Sequence, residues 1–421
     1  MSEEITTFKK KKRKATWLWL IFLFLFTVGS STYWSYWDAI HINPIQSFLP
    51  AKDHVPPPTV TEANVTVEYG DYVRAKDLIQ VSGGWLTEPD KVYIPAVLGT
   101  DELEVEYADI AGEPYTAAVT VTVTDKTPPL MMCPGIIYAD VGKEMDPIDY
   151  LFCGDNYDPN PKVTVVGSYS LEEVSQYTLQ FSAQDISGNT STKDFVLIVR
   201  EPIEDNDEDD STYPVADFIS KYKSEANTIG IDVSSWQGTI DWQQVKASGI
   251  DFAILRIGLQ RGGYGGTNEI DTEFLANLEG AKAAGVKVGV YFYSFAKTPE
   301  EARQQAQWVA GQLDGESLDL PVAFDWENFN YFTGRGISFY QLNRTAEAFI
   351  DEMENLGYEA MLYGSASYLT RVWKVPDAKV WVAHYTEQTD YEGEYIMWQV
   401  SPIGEVPGID GHCDLNILYK N

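Results

Sequence analysis

The sequence predicts a multidomain chain: an N-terminal transmembrane helix, two small all-β sandwiches and a C-terminal barrel of strands and helices. Three observations predict it. An uncharged stretch follows a basic run near the N-terminus, a pattern of period two then recurs at a fixed shift, and from Thr228 strands and helices alternate. At 421 residues the chain also exceeds one ordinary core.

Taking the elements in order, residues 1–14 form a basic tail with Lys9 to Lys14 as its dense part, and Ala15 to Trp37 contains no charged residue. About 20 apolar residues span a bilayer as a helix. Trp17 and Trp19 at one end, with Tyr33, Trp34, Tyr36 and Trp37 at the other, resemble interfacial aromatic belts. A membrane span at 15–37 is therefore expected, with the basic tail inside and everything after Asp38 outside. A cleaved export signal competes with it, because the strongly apolar run Trp17 to Val28 is only 12 residues long and Gly29-Ser30-Ser31 suits cleavage. Residues 38–56 read as a stalk that runs into Pro56-Pro57-Pro58.

Period-two alternation then marks half-buried strands: Val65, Val67 and Tyr69, later Val119, Val121 and Val123, and later still Tyr177, Leu179 and Phe181. Asp109-Ile-Ala-Gly112 recurs as Asp185-Ile-Ser-Gly188, a shift of 76, which also lays Val119, Val121 and Val123 over Phe195, Leu197 and Val199. Two copies of one module are expected, 57–124 and 125–200. They resemble the Ig-like modules of bacterial surface proteins, and a spacer role is the expectation. Cys133 and Cys153 fall in the second copy, where a disulfide is open, and Cys413 stands apart. Residues 201–227 read as an acidic linker, since Glu201 to Tyr213 holds seven acidic residues.

The final domain, 228–421, has eight strand-like runs: Ile229 to Val233, Phe252 to Ile257, Val286 to Phe295, Leu320 to Phe324, Tyr358 to Tyr363, Val380 to Tyr385, Ile396 to Val400 and Leu415 to Tyr419. Helical segments at Glu273 to Ala284, Pro299 to Leu313 and Ser338 to Leu356 separate the early ones. Repeated strand-helix units predict a parallel sheet closed into an irregular (β/α) TIM-like barrel, with its reactive groups at the C-terminal strand ends.

Asp325 and Glu327 follow the fourth strand with one residue between them, so both face one space while Trp326 points away. Asp232 ends the first strand and Asp414 begins the last, and first and last strands are neighbours in a closed barrel. Four carboxyl groups facing one cavity are hard to justify structurally, because uncompensated buried charge is expensive. Close pairing also keeps one protonated near neutral pH, ready to act as an acid.

Here the chain resembles the glycoside hydrolase family 25 lysozymes. The matching pieces are Gly230-Ile-Asp-Val-Ser-Ser-Trp-Gln-Gly238 with Ile240-Asp241-Trp242, Gly289-Val-Tyr-Phe-Tyr-Ser294, Phe324-Asp-Trp-Glu327, Trp381-Val-Ala-His-Tyr385, Met397-Trp-Gln399 and Asp414-Leu-Asn416. The resemblance implies hydrolysis of the β-1,4 bond between N-acetylmuramic acid and N-acetylglucosamine in peptidoglycan. It implies Glu327 as general acid, Asp325 orienting or stabilising the 2-acetamido group, and Asp232 and Asp414 holding the network. The family's Lys-x-Ser/Thr-Glu-Gly stretch is replaced by Arg256-Ile-Gly-Leu-Gln-Arg-Gly262, which leaves fine specificity open. Aromatic side chains stack on the apolar faces of sugar rings, so Tyr291, Tyr293, Tyr385 and Trp398 are candidate subsite walls, with barrel packing as the alternative. The expected location is the bacterial cell membrane, single-pass, with the N-terminus cytoplasmic and the catalytic domain extracellular.

Other classes fit less well. A net charge of −33 argues against a nucleic-acid partner. No cofactor is expected, and no metal, since His41, His54, His384 and His412 lack ligand spacing. Gly-x-Ser-x-Gly is absent, and Arg261-Gly-Gly-Tyr-Gly-Gly266 lacks the Lys-Ser/Thr of a phosphate loop. A chitinase-like hydrolase would carry more acids where Val322 and Ala323 stand. The remaining alternative is a wall-binding surface protein that has lost activity, against which the four acids count.

Overall fold

The computed structural model describes residues 55–203, 211–327, 329 and 332–420. Contacts divide it into two compact units: Val73–Tyr93 and Glu102–Val121 lie in one, and Thr66–Tyr72, Ile94–Asp101 and the chain from Thr122 onward form the other.

The C-terminal part is a closed barrel of eight strands: β1 (Asn227–Val233), β2 (Phe252–Arg261), β3 (Lys287–Tyr293), β4 (Val322–Asp325), β5 (Ala360–Ser365), β6 (Lys379–Ala383), β7 (Met397–Glu405) and β8 (Cys413–Tyr419). From β1 to β7 each strand pairs in parallel with the next. Parallel strands are covered on both faces, which is why runs such as Val322-Ala-Phe-Asp325 are buried throughout. Phe252, Ile254, Ala323, Met361, Trp381 and Met397 fill the interior. Their sequence neighbours face the outer layer, where helices α1 (Val215–Tyr222), α2 (Trp242–Ala247), α3 (Phe274–Ala283), α4 (Pro299–Leu313), α5 (Phe339–Asn355) and α6 (Ala366–Arg371) pack.

The expected TIM-like (β/α) barrel needs correction. β8 runs antiparallel to both β7 and β1, and among the described residues no helix separates β6 from β7 or β7 from β8. A parallel neighbour needs a crossover of roughly a dozen residues or more. Only residues 406–412 lie between β7 and β8, so the last strand turns straight back.

The Ig-like sandwiches are also corrected. Each repeat supplies one four-stranded sheet built around a long hairpin, Gly99–Asp109 with Pro114–Thr124 and Ser175–Gln184 with Thr190–Arg200. The 76-residue shift carries the first hairpin onto the second strand for strand. The other strands, such as Leu130–Met132 and Phe152–Gly154, pair as short ribbons and are too short to build a second facing sheet. In addition, Ile136–Asp140 runs parallel to Thr190–Arg200. Cys133, Cys153 and Cys413 are all free.

The expected transmembrane helix, 15–37, lies outside the described residues. Among those described, no helix is long and apolar enough to cross a membrane. The single-pass membrane location is corrected accordingly. Within the expected linker, residues 204–210 lie outside the description, whereas Tyr213–Pro214 pairs with β7 and α1 buries Val215 and Phe218 against the barrel.

The second strand module also joins the barrel core. Phe152 sits among Phe329, Phe332, Phe339 and Tyr368, with ring centroids 5.4 to 6.0 Å away. Cys153 N donates to Thr333 Oγ1 (2.9 Å), which donates to Leu151 O (2.8 Å). A Cβ added at Gly154 would meet the Phe339 ring at 2.4 Å, so glycine alone permits this approach. A free spacer would make no such contacts. Phe152→Ala should therefore cost about 3–5 kcal/mol in denaturant unfolding followed by tryptophan fluorescence. Tyr150→Ala, at an exposed position two residues away, should stay within about 0.5 kcal/mol of the parent.

Candidate active site

Strand parity delivers the acids to the barrel mouth. On β1, Ile231 and Val233 enter the outer core while Asp232 faces inward, and the β1–β8 register sets it directly opposite Asp414. Side chains so placed have Cβ atoms roughly 4.5–5.5 Å apart, and the two carboxyl groups hydrogen-bond to each other. At the end of β4, Asp325 is buried and Trp326 turns outward, its indole donating to Ala296 O at 3.1 Å. Glu327, one step further, opens to solvent at the groove wall.

Asp232 Oδ2 accepts from Gln399 Nε2 (2.9 Å) and Asn416 Nδ2 (2.7 Å). Burial lifts Asp232 to about 6 even though these donors favour its charged form. Burial lifts Asp414 further, to about 9, helped by the charges of Asp232 and Glu327. Asp414 thus keeps the shared proton and Asp232 ionises first. Asp325 is raised well above the usual carboxylate range by burial, then by Glu327 and Asp232, with Arg256 opposing. Its Oδ1 is buried without a hydrogen-bond donor. Glu327 is raised by burial against the protein side of the groove and by the Asp232 charge, while a hydrogen bond with Tyr363 opposes.

All four acids line one cleft of ≈ 500 Å³ with Tyr291, Tyr293 and Tyr385. A second depression of ≈ 840 Å³ shares Glu327, Tyr363 and Tyr385 with it and extends past His384 and Tyr391. The two depressions adjoin at these shared residues, Glu327 among them. Trp398 is not brought here. Its indole donates to His384 O (2.8 Å), it packs edge-on against Tyr222 in the outer layer, and Gln399 takes the inward position.

Sequence reasoning missed Trp236, Arg256, Leu259, Tyr363, Trp381 and Gln399. Trp236, 85% exposed, stands inside the quoted Gly230 to Gly238 motif. Gln399 was available by parity, because Met397 and Gln399 share the inner face of β7. Arg256 is held at the rim by Asp271 (2.7 Å) and Ser235 (2.9 Å), where the family's lysine stretch is replaced.

A groove flanked by paired carboxyl groups on a closed barrel is the arrangement that glycoside hydrolysis uses. The profile of glycosyl hydrolases family 25 matches residues 231–409. The autolytic lysozyme of Clostridium acetobutylicum is 29% identical over 190 residues, 44% of this chain and 54% of that protein. Lysozyme M1 of Streptomyces globisporus is 32% identical over 206 residues, 44% of this chain and 66% of that protein. The uncharacterized protein YegX of Escherichia coli O157:H7 is 30% identical over 216 residues, 49% of this chain and 74% of that protein. The chain belongs to glycosyl hydrolases family 25, and it spans about half the length of the first of these relatives.

The raised Asp414 implies a pH-dependent stability. A folded chain that holds a proton which the unfolded chain releases is favoured below the unfolded carboxylate range, near ~4, and loses that contribution as pH climbs through about 9. Asp414→Asn removes the titration. By differential scanning calorimetry it should match the parent within ~1 °C at pH 4 and melt roughly 2–4 °C higher at pH 8. Equal melting at both pH values would count against a buried, proton-holding Asp414.

Proposed function

We propose that the chain is a lysozyme that hydrolyses the β-1,4 bond between N-acetylmuramic acid and N-acetylglucosamine of peptidoglycan, in remodelling or turnover of the cell wall. The observation that carries this reading is an open cleft lined by four acids that adjoins a second depression at Glu327, which suits a polymer better than a closed pocket would. Family membership and the two lysozymes among the relatives support the substrate class.

Glu327 is the general acid. Its raised proton affinity favours the protonated form that a general acid needs, and a glycan lying in the groove would bring its glycosidic oxygen to this wall. Asp325 has a buried oxygen without a donor, a fitting acceptor for the N–H of a 2-acetamido group, which it would orient as charge develops on the sugar. Asp232 and Asp414 hold the proton pattern: ionised Asp232 favours a protonated Glu327. Tyr291, Tyr293 and Tyr385 supply flat walls for sugar rings.

Incubating the full chain with purified peptidoglycan should release new reducing ends, with N-acetylmuramic acid at the end seen by mass spectrometry. Glu327→Gln should slow release by about 100-fold or more. Binding without release, with Glu327→Gln indistinguishable from the parent, would leave the second reading, a wall-binding protein that has lost activity.

A further inference from the structure

Away from the groove, three aspartates from separate stretches meet. Asp125 follows the first hairpin, Asp155 lies in the loop behind Phe152, and Asp185 sits at the turn of the second hairpin. One oxygen from each lies within 4.8 Å of the others. Asp155 and Asp185 are 1% and 5% exposed. The charges acting on Asp155 are those of Asp125 and Asp185, of the same sign. Asn189 donates to both oxygens of Asp185 (2.8 Å each) and Ser187 Oγ donates to Asp125 Oδ2 (2.5 Å), yet these neutral donors supply no opposite charge. Like charges of which two are buried are held together at a cost unless something positive lies between them.

A cluster of acids alone would not make a site. Independent of the charges, the neighbouring amide leaves an oxygen without a donor. Asn156 is 8% exposed; its Nδ2 reaches Asp125 Oδ1 at 3.4 Å and Tyr69 O at 3.0 Å, which sets the amide end beside the cluster, and its Oδ1 has no hydrogen-bond partner. Asp155 repeats the pattern. Its Oδ1 accepts from the N–H groups of Tyr157 (2.9 Å) and Asp158 (2.7 Å), whereas Oδ2 is buried without a donor. Buried acceptors almost always find a partner, and two neighbouring ones beside a carboxylate cluster are what a bound cation would satisfy.

We propose that Asp125, Asp155, Asp185 and the Asn156 carbonyl oxygen bind a divalent cation of the calcium type. All four are hard oxygen donors, and calcium accepts six to eight such oxygens in flexible geometry, whereas magnesium demands a near-ideal octahedron and keeps its waters. Zinc is disfavoured, because its sites draw on nitrogen and sulfur. The cation would clamp the loop that the barrel depends on. Asp155 O accepts from Phe339 N (2.7 Å) at the start of α5, and Phe152 packs against Phe329 and Phe332, just beyond Glu327.

The full chain, stripped with a chelator, is titrated by calorimetry with calcium chloride and separately with magnesium chloride. One calcium per chain is expected, with Kd roughly between 10⁻⁷ and 10⁻³ M and magnesium at least about tenfold weaker. Saturating calcium should raise the melting temperature by about 2 °C or more. Asp155→Asn and the less buried Asp125→Asn should each weaken binding about tenfold or more and abolish the melting shift. Equal binding of magnesium would overturn the calcium assignment. No heat and no melting shift for the parent at about 10 mM calcium, well above the weakest calcium modules, would overturn the site itself. Neither readout uses catalysis, so either result stands apart from the proposed activity.

Discussion

Two carboxyl groups set face to face across the β1–β8 seam cannot both be charged, and the polar interior of the barrel is arranged around that constraint. Asp232 takes the charge and collects donors from two strands, Gln399 on β7 and Asn416 on β8. Those amides are themselves aligned: Gln399 Oε1 accepts from Tyr363 (2.8 Å) and Tyr385 (2.9 Å), and Asn416 Oδ1 accepts from Trp381 (2.9 Å). With its carbonyl oxygen occupied, each amide can only present N–H to Asp232. The charge is thereby fixed on one carboxylate, and the groups around it titrate in response.

That arrangement follows from chain length as much as from side chains. The seven residues between β7 and β8 leave no room for a crossover, so the last strand returns antiparallel and brings Asp414 beside Asp232 in direct register. A parallel eighth strand would slant the pairing and separate the carboxyl groups. The departure from a regular strand-helix barrel is thus what permits the acid pair.

Much of this was legible because local signals agree with the final packing. Thr298 caps α4 with Pro299 at its first position, and the helix runs Pro299–Leu313 as the periodicity predicts. Asp325 and Glu327 were readable from parity at a strand end, and Asp232 with Asp414 from barrel closure. Of the two readings open for Trp398, the structure takes barrel packing, because parity on β7 assigns the inward position to Gln399. The sandwich expectation failed because alternation identifies strands without fixing how many residues each contributes to pairing. Asp125, Asp155 and Asp185 were invisible as a group: each reads alone as a turn residue, and only tertiary contacts join them.

Glu327 combines two properties that pull against each other, an exposed side chain and a fixed position. Its backbone is pinned on both sides: Trp326 is fully buried, Glu327 O accepts from Phe329 N (2.7 Å), and Phe329 stacks on Tyr368 at 3.6 Å. Phe152 closes the same aromatic cluster from the strand module, so the rigidity of the acid is borrowed in part from outside the barrel. Exposure then has a use. On the proposed reading, a glycan lying in the groove would displace the remaining water from Glu327 and raise its proton affinity further, just where that reading needs the proton. The acid would be strongest in its hold on the proton when covered by substrate, and the developing negative charge on the leaving oxygen would be what draws that proton away.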